Sequence, residues 1–318
     1  MRVRTFPHFA LALALAACSA PPPPRTPTAL PAALGQQIAD VVAGLGPTAR
    51  AAVWFGTADG EALLAWNAET PMPAASAIKA AYLIEAFAAQ AGAVPTLTDL
   101  PLAPPAGLDT PLPGADAVLA DASHPAVAHF SPAQRATAQR LLGGQSTHRV
   151  CEAMISSKGV DNATYNVAAN LVTARFGGPP ALTQRLHARD PRFAGLQVRR
   201  YMLADRVATG DNTATAAALA AVHQALARGC VPGMATATVM ACRRVLADGL
   251  DDEGRVVFRK DGALDSAPAT RTRAGWRQGA DGTRVFAILL ADDRAGAAVG
   301  TRLDDAVQRI EALLFVKR

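Results

Sequence analysis

Residues 71–90, PMPAASAIKAAYLIEAFAAQ, mark the point where the chain changes from strands to helices. From Ser76 to Gln90 alanine dominates, and Ile78, Leu83, Ile84 and Phe87 recur at helical spacing, which predicts a buried helix. Upstream, Ala51 to Gly56 and Glu61 to Trp66 read as two strands closed by the turn Thr57-Ala58-Asp59-Gly60. Before them Leu34, Ile38, Val41, Val42 and Leu45 form a helical stripe that Gly46-Pro47 ends. A loop rich in Pro, Gly and Asp is expected from Gly92 to about Pro125, too long for a plain connection. Ser131-Pro132 then starts a helix, with a capping serine and proline in the first turn, and helices continue to Gly249. Strands return at Arg255 to Arg259, Thr272 to Gln278 and Thr283 to Ala291. The helix Thr301 to Lys317 closes the chain, with Leu303, Val307, Ile310 and Leu314 on one stripe.

Two strands at the start, three at the end and helices between them predict an α+β fold. Its five-stranded antiparallel sheet draws on both chain ends, and an all-helical subdomain is inserted between them. The expected lobes are 33–75 with 250–318, and 76–249, with a cleft between them. The composition agrees with a packed core: 50% of the 318 residues are apolar, 18% are charged and the mean hydropathy is +0.15. Aromatics make up only 5%, so Ala, Val and Leu must fill the interior. The net charge of +5 comes from arginine, since the only lysines are Lys79, Lys158, Lys260 and Lys317. These arginines are scattered without interleaved aromatics, which argues against a nucleic-acid groove.

The first residues read as an address. Arg2 and Arg4 precede the apolar run Phe9 to Ala17, which is too short to span a bilayer and suits a signal peptide. Leu15-Ala16-Ala17-Cys18 resembles a lipoprotein cleavage box, with Cys18 as the lipidated residue, so residues 1–17 are expected to be removed. Pro21 to Pro24, Pro27 and Pro31 make residues 18–32 a semi-extended tether. The expected protein is exported, lipid-anchored on the periplasmic face of a bacterial membrane, and a monomer. Cys151, Cys230 and Cys242 allow at most one internal bridge, Cys230 and Cys242 being nearest in sequence. No cofactor or metal motif occurs, and neither C-x-x-C nor H-E-x-x-H is present.

Three features carry chemistry. Ser76-Ala77-Ile78-Lys79 sets a hydroxyl and an amine one helical turn apart, and a desolvated lysine can take the serine proton. Thr164-Tyr165-Asn166 offers a hydroxyl and an amide, one to pass a proton and the other to hold a carbonyl. Lys260-Asp261-Gly262, at the end of the predicted strand Arg255 to Arg259, brings an amine and a glycine to a strand edge. Taken singly each has a plain structural reading: a capped helix, a routine helical triplet, a strand-ending turn.

Their order resembles the layout of the penicillin-recognising serine hydrolases, and most closely the class A β-lactamases. Pro71 to Lys79 is similar to that family's nucleophile segment, and Thr164 to His187 is similar, without a gap, to the stretch from its S-D-N motif through its G-G-P turn. The resemblance runs from about Ala33 to Lys317. It implies Ser76 as nucleophile, Lys79 as base, and Thr164 and Lys260 as the route of the proton to the leaving group. Asn166, Asp261, Gly262 and Ala263 would hold substrate, with an oxyanion between the amides of Ser76 and Ala263.

The departures are as informative. Tyr165 replaces a carboxylate. Val160-Asp161-Asn162 is a rival register for the triplet, but it lacks a hydroxyl and breaks the gap-free match. Asp261 stands where the family offers a hydroxyl to the substrate carboxylate, and would repel an anion unless Lys260, Arg271 or Arg273 neutralises it. No glutamate occurs from Ala153 to Asp252, although the family's Ω-loop, expected around Leu196 to Asn212, supplies the glutamate that activates the deacylating water. Asp205 is the only carboxylate well inside that stretch, out of register with the missing base. The implied function is a serine acyl-enzyme hydrolase acting on β-lactams or cell-wall-peptide-like amides, weak as a β-lactamase. An ester hydrolase fits the same groups, and the alternative is an inactive lipoprotein that keeps the fold as a binding or scaffolding module. The histidines show no triad spacing, and His187 and His223 read as surface or packing residues.

Overall fold

The computed structural model describes residues 32–91, 105–279 and 282–316. The expected signal segment, Cys18 and all of the expected tether but Ala32 lie outside the described residues. After α1 (Ala32–Ala43) the expected hairpin forms from β1 (Ala49–Thr57) and β2 (Ala62–Trp66). A short strand β3 (Met72–Pro73) and a 3₁₀ turn, Ala75–Ile78, lead into α2 (Lys79–Gln90). The helical part follows: α3 (Ala115–Ala120), α4 (Pro132–Leu142), α5 (Thr147–Ser156), α6 (Asn162–Arg175), α7 (Pro179–Arg189) and α8 (Arg206–Thr209). A two-residue strand β4 (Thr213–Ala214) pairs with β3, and α9 (Ala216–Ala227) and α10 (Thr236–Leu246) complete that part. The chain ends with β5 (Ala247–Leu250), β6 (Val256–Leu264), β7 (Ala269–Gly279), β8 (Gly282–Asp292) and α11 (Ala297–Leu314).

The fold is α+β, with the strand order β2-β1-β8-β7-β6-β5 and every neighbour pair antiparallel. The five expected strands are joined by a short sixth, β5, whose four exposed residues carry no hydrophobic alternation by which to read it. Leu34, Ile38 and Val41 of α1 and Leu303, Val307 and Ile310 of α11 pack with Val53, Phe55, Ile288 and Leu290 on one face of the sheet. The other face, through Trp54, Trp276, Val285 and Leu289, joins the larger core around α2, α6 and α9. Alanine makes this possible: α9 reads AAALAAVHQALA, and its small side chains bring the helix close beneath the sheet.

Local signals set the helix starts. Ser131 and Gln134 form a reciprocal capping box at α4, with Pro132 at its first position. Asp161 caps α6 by accepting the amide of Thr164 at 2.7 Å. Within the described part of the expected loop before Pro125, a 3₁₀ turn at Ala106–Asp109 and α3 form. Cys242 is free and buried, as is Cys151, so the bridge between Cys230 and Cys242 does not form. Among the described residues no helix is long and apolar enough to cross a membrane.

His223 of α9 is fully buried against Trp276, with neither ring nitrogen hydrogen-bonded. Burial pushes its pKa down to about 3. The folded-state value lies below the unfolded one, so under pH ~6.5 the unfolded chain binds the extra proton and stability falls with pH. In urea unfolding, wild type should lose about 1.4 kcal/mol more than His223→Leu between pH 7.5 and pH 5.5. Parallel losses in the two proteins would show that the imidazole is not held neutral.

Candidate active site

The site forms where the late strands meet the start of α2. β5 pairs with β6 only as far as Phe258, so beyond that residue no strand covers this edge of β6. Lys260-Asp261-Gly262 was expected at a strand end; it lies inside β6, which continues to Leu264 by pairing with β7. The uncovered edge runs against the 3₁₀ turn that carries Ser76. A Cβ built on Gly262 would come within 2.6 Å of the Ser76 amide nitrogen, 2.8 Å of that of Ala77 and 2.5 Å of Thr272 Oγ1. Only glycine permits this approach.

The backbone before Ser76 is pinned from two sides. Asn212 accepts the Ala74 amide at 2.9 Å through its carbonyl, and Thr272 Oγ1 donates to the Ala74 carbonyl at 3.0 Å. Ala75 then adopts φ +44°, a conformation that costs a non-glycine residue about 1–3 kcal/mol. Ser76 emerges half-buried on the cleft, and among the described residues its hydroxyl makes no hydrogen bond.

Lys79 follows one turn later and is wholly buried. Its Nζ donates to Asn166 Oδ1 at 2.9 Å and stands 3.2 Å from the centre of the Tyr165 ring. Lys260 Nζ lies 5.2 Å from the same ring. Burial, and then the charge of Lys260, hold the Lys79 amine well below its usual range. The π face of Tyr165 favours the charged form by ~1–2 kcal/mol, too little to offset complete burial of an ammonium.

Thr164, expected on the cleft, does not face it. Its hydroxyl is buried without a hydrogen-bond partner, and it lines neither cavity containing Ser76 nor the one containing Lys260. Because α6 starts at Asn162, one turn presents Asn162, Tyr165 and Asn166 together, at positions i, i+3 and i+4. Asn162, from the rival register, lines both Ser76 cavities, and its backbone carbonyl and Oδ1 accept from Asn166 Nδ2 at 2.8 and 3.1 Å.

The cavity of about 100 Å³ on one side of Ser76 ends at the segment after Leu196, whose wall is Arg200, Met202, Leu203 and Asp211. Met202 is clamped at its backbone: its amide donates to Asn170 Oδ1 at 2.6 Å, and its carbonyl accepts from Asn170 Nδ2 at 3.1 Å and bonds His129 Nε2 at 2.9 Å. Asp211, the one carboxylate lining this cavity, pairs with Arg200 at 2.8 Å and Arg206 at 3.5 Å. Asp205 caps α8 and does not line it. The other cavity, about 250 Å³, brings Ser76, Tyr165, Asp261 and Ala263 together with Arg271, Arg273 and Asp304.

Neither a protein-family model nor any curated protein sequence matches the chain. Solved structures do. PBP-A aligns with a TM-score of 0.62 at 20% identity, over 92% of this chain and 97% of that one. A point mutant of PBP-A, an acyl-enzyme complex with penicillin G, gives 0.61 at 19% over the same shares. The β-lactamase from Streptomyces albus G gives 0.58 at 18%, over 88% and 98%. The chain has the fold of the class A β-lactamases and of PBP-A. At such identities the agreement speaks for the architecture: a sheet from both chain ends, helices inserted between them, and a cleft where they meet.

Tyr165, Asn162 and Met202 are the cleft residues that the motif reading passes over. The clue to the first two was the capping Asp161, which fixes the phase of α6; nothing in the sequence marks Met202. The Gly262 contact has a direct consequence. Gly262→Ala should lower the unfolding free energy by about 1–3 kcal/mol, because the new methyl meets backbone nitrogens that cannot swing aside. An unchanged melting temperature would mean that the strand edge and the turn are less tightly joined than their contact implies.

Proposed function

We propose that the protein is a serine acyl transferase in which Ser76 is the nucleophile and Lys79 the base. The observation that carries this reading is a lysine amine, wholly buried and depressed in pKa, one turn beyond a half-exposed serine. A neutral amine there can take the Ser76 proton as Oγ attacks a carbonyl carbon. The oxyanion is received by the amides of Ser76 and Ala263, set against one another by the Gly262 contact. Tyr165, whose ring the Lys79 amine contacts and the Lys260 amine approaches, is the hydroxyl-bearing side chain that takes the role expected of Thr164 in this proposal. Asn166 holds the Lys79 amine in place, and Lys260 supplies positive charge at the same ring.

Breakdown of the acyl-enzyme is not served equally. A deacylating water needs a base near the ester, and the cavity wall offers Met202 and an Asp211 already tied to two arginines. Losing a general base costs ~10²–10⁴ in rate, so the acyl-enzyme should be long-lived. Covalent penicillin binding, or slow transfer on cell-wall peptides or esters, follows more naturally than rapid β-lactam hydrolysis. An export signal and a lipid anchor at Cys18 would put this activity on the periplasmic face of a membrane. A binding module without acyl transfer is the second reading, favoured by the free Ser76 hydroxyl and the missing base.

Incubation with a fluorescent penicillin should give a covalent label that disappears in Ser76→Ala. Absence of label with penicillin, ester and peptide donors between pH 6 and 9 would favour the binding module. Met202→Glu, presented from a clamped backbone, should shorten the lifetime of the labelled protein by about 10²-fold. An unaltered lifetime would show that a side chain at 202 does not reach the ester.

A further inference from the structure

The wall of the cleft beyond Lys260 is charged in an unusual way. Asp261 points toward the larger cavity beside Ser76 and is held by Arg273, whose Nε reaches both carboxylate oxygens at 3.1 and 3.2 Å and whose Nη2 donates at 3.0 Å. The remaining arm of Arg273 donates to Glu311 at 2.7 Å. Arg271, in the same wall, is equally occupied. Its Nε donates to Asp304 at 2.8 Å and its Nη2 to Asp265 at 2.7 Å, while Nη1 donates to the carbonyls of Leu264 and Thr270. Four carboxylates therefore meet two guanidinium groups, and every arm of both arginines already has an oxygen. A substrate anion entering here finds every arginine arm engaged and meets Asp261, about two-fifths exposed, whose charge Arg273 and, at 3.9 Å, Arg259 offset only in part.

We infer that this cleft selects acyl donors carrying no anion beside the scissile bond, neutral or cationic at that place, with Asp261 as the specificity-determining residue. This rests on the acyl-transfer reading and sharpens it: a hydroxyl at 261 would free Arg273 for a carboxylate, whereas an aspartate consumes it. A protonated amine or an uncharged ester or amide meets no such penalty, and an ammonium gains a partner in Asp261.

The test uses two donors that differ only in this charge, benzylpenicillin and its carboxyl methyl ester, with Ser76 adduct formation followed by intact-protein mass spectrometry. Wild type should react about tenfold faster with the ester, well below the effect of a bare like-charge contact because Arg273 pairs with Asp261. Asp261→Ser should raise the benzylpenicillin rate relative to the ester rate about tenfold, bringing the ratio of the two close to one. Glu311→Gln, outside the cavity, should raise the benzylpenicillin rate by a smaller factor by releasing one arm of Arg273. Equal rates for the two donors in wild type, or a ratio unchanged in Asp261→Ser, would overturn the inference while leaving acyl transfer intact. If no donor labels Ser76, acyl transfer fails on its own. The preference is then read from calorimetric binding to Ser76→Ala, where tighter binding of the ester supports it and equal or undetectable binding of both overturns it.

Discussion

The contact on which the rest depends is the approach of Gly262 to the amides of Ser76 and Ala77. It joins two distant parts of the chain: a strand made late in the sequence and the turn that opens α2. A side chain at 262 would hold them apart, and with them the amides of Ser76 and Ala263 proposed to receive the oxyanion. Pinning Ala74 from Asn212 and from Thr272 serves the same end, since it fixes the turn that bears Ser76 against both neighbours. This explains how an architecture persists at one residue in five. What must be kept is backbone placement, which small side chains and a few buried hydrogen bonds can maintain while most positions change.

Lys79 shows what that placement does electrically. An amine buried to this degree is costly as an ammonium, and the nearby Lys260 adds repulsion. The Asn166 oxygen satisfies one N–H without supplying a charge, so it positions the group without countering the downward shift. The Tyr165 ring lies against the Lys79 amine and within reach of that of Lys260.

That point separates what could be read in the sequence from what could not. Strand and helix order was legible because hydrophobic periodicity is local, and Ser76 with Lys79 was legible because one helical turn fixes their relation. Thr164 was misjudged because a triplet does not say which side of its helix faces a cleft; the N-cap does, and Asp161 sets the phase that turns Tyr165 outward. The strand carrying Lys260 was drawn too short because DGAL contains no strong strand former, and only its pairing with Thr270 to Arg273 holds it extended. Met202 has no local signature. Its place is decided by Asn170, thirty-two residues away in sequence, whose amide grips both its backbone groups.

The grip on Met202 bears on what the site is for. A buried asparagine and a histidine hold the backbone there with three polar contacts, a firmness that a wall of mere packing does not require, yet the side chain they present is chemically inert. On the opposite wall a carboxylate stands where it blocks an arginine. The two departures are independent in sequence and share a direction. On the acyl-transfer reading, the groups that would make an acyl-enzyme stand together, while those that would draw in an anion or bring a water to the ester are engaged elsewhere among the described residues. A decayed site would lose the buried amine first, because an unused lysine in an apolar interior is a standing cost to stability. Lys79 is fully enclosed and hydrogen-bonded, which favours the acyl-transfer reading proposed above over an abandoned site.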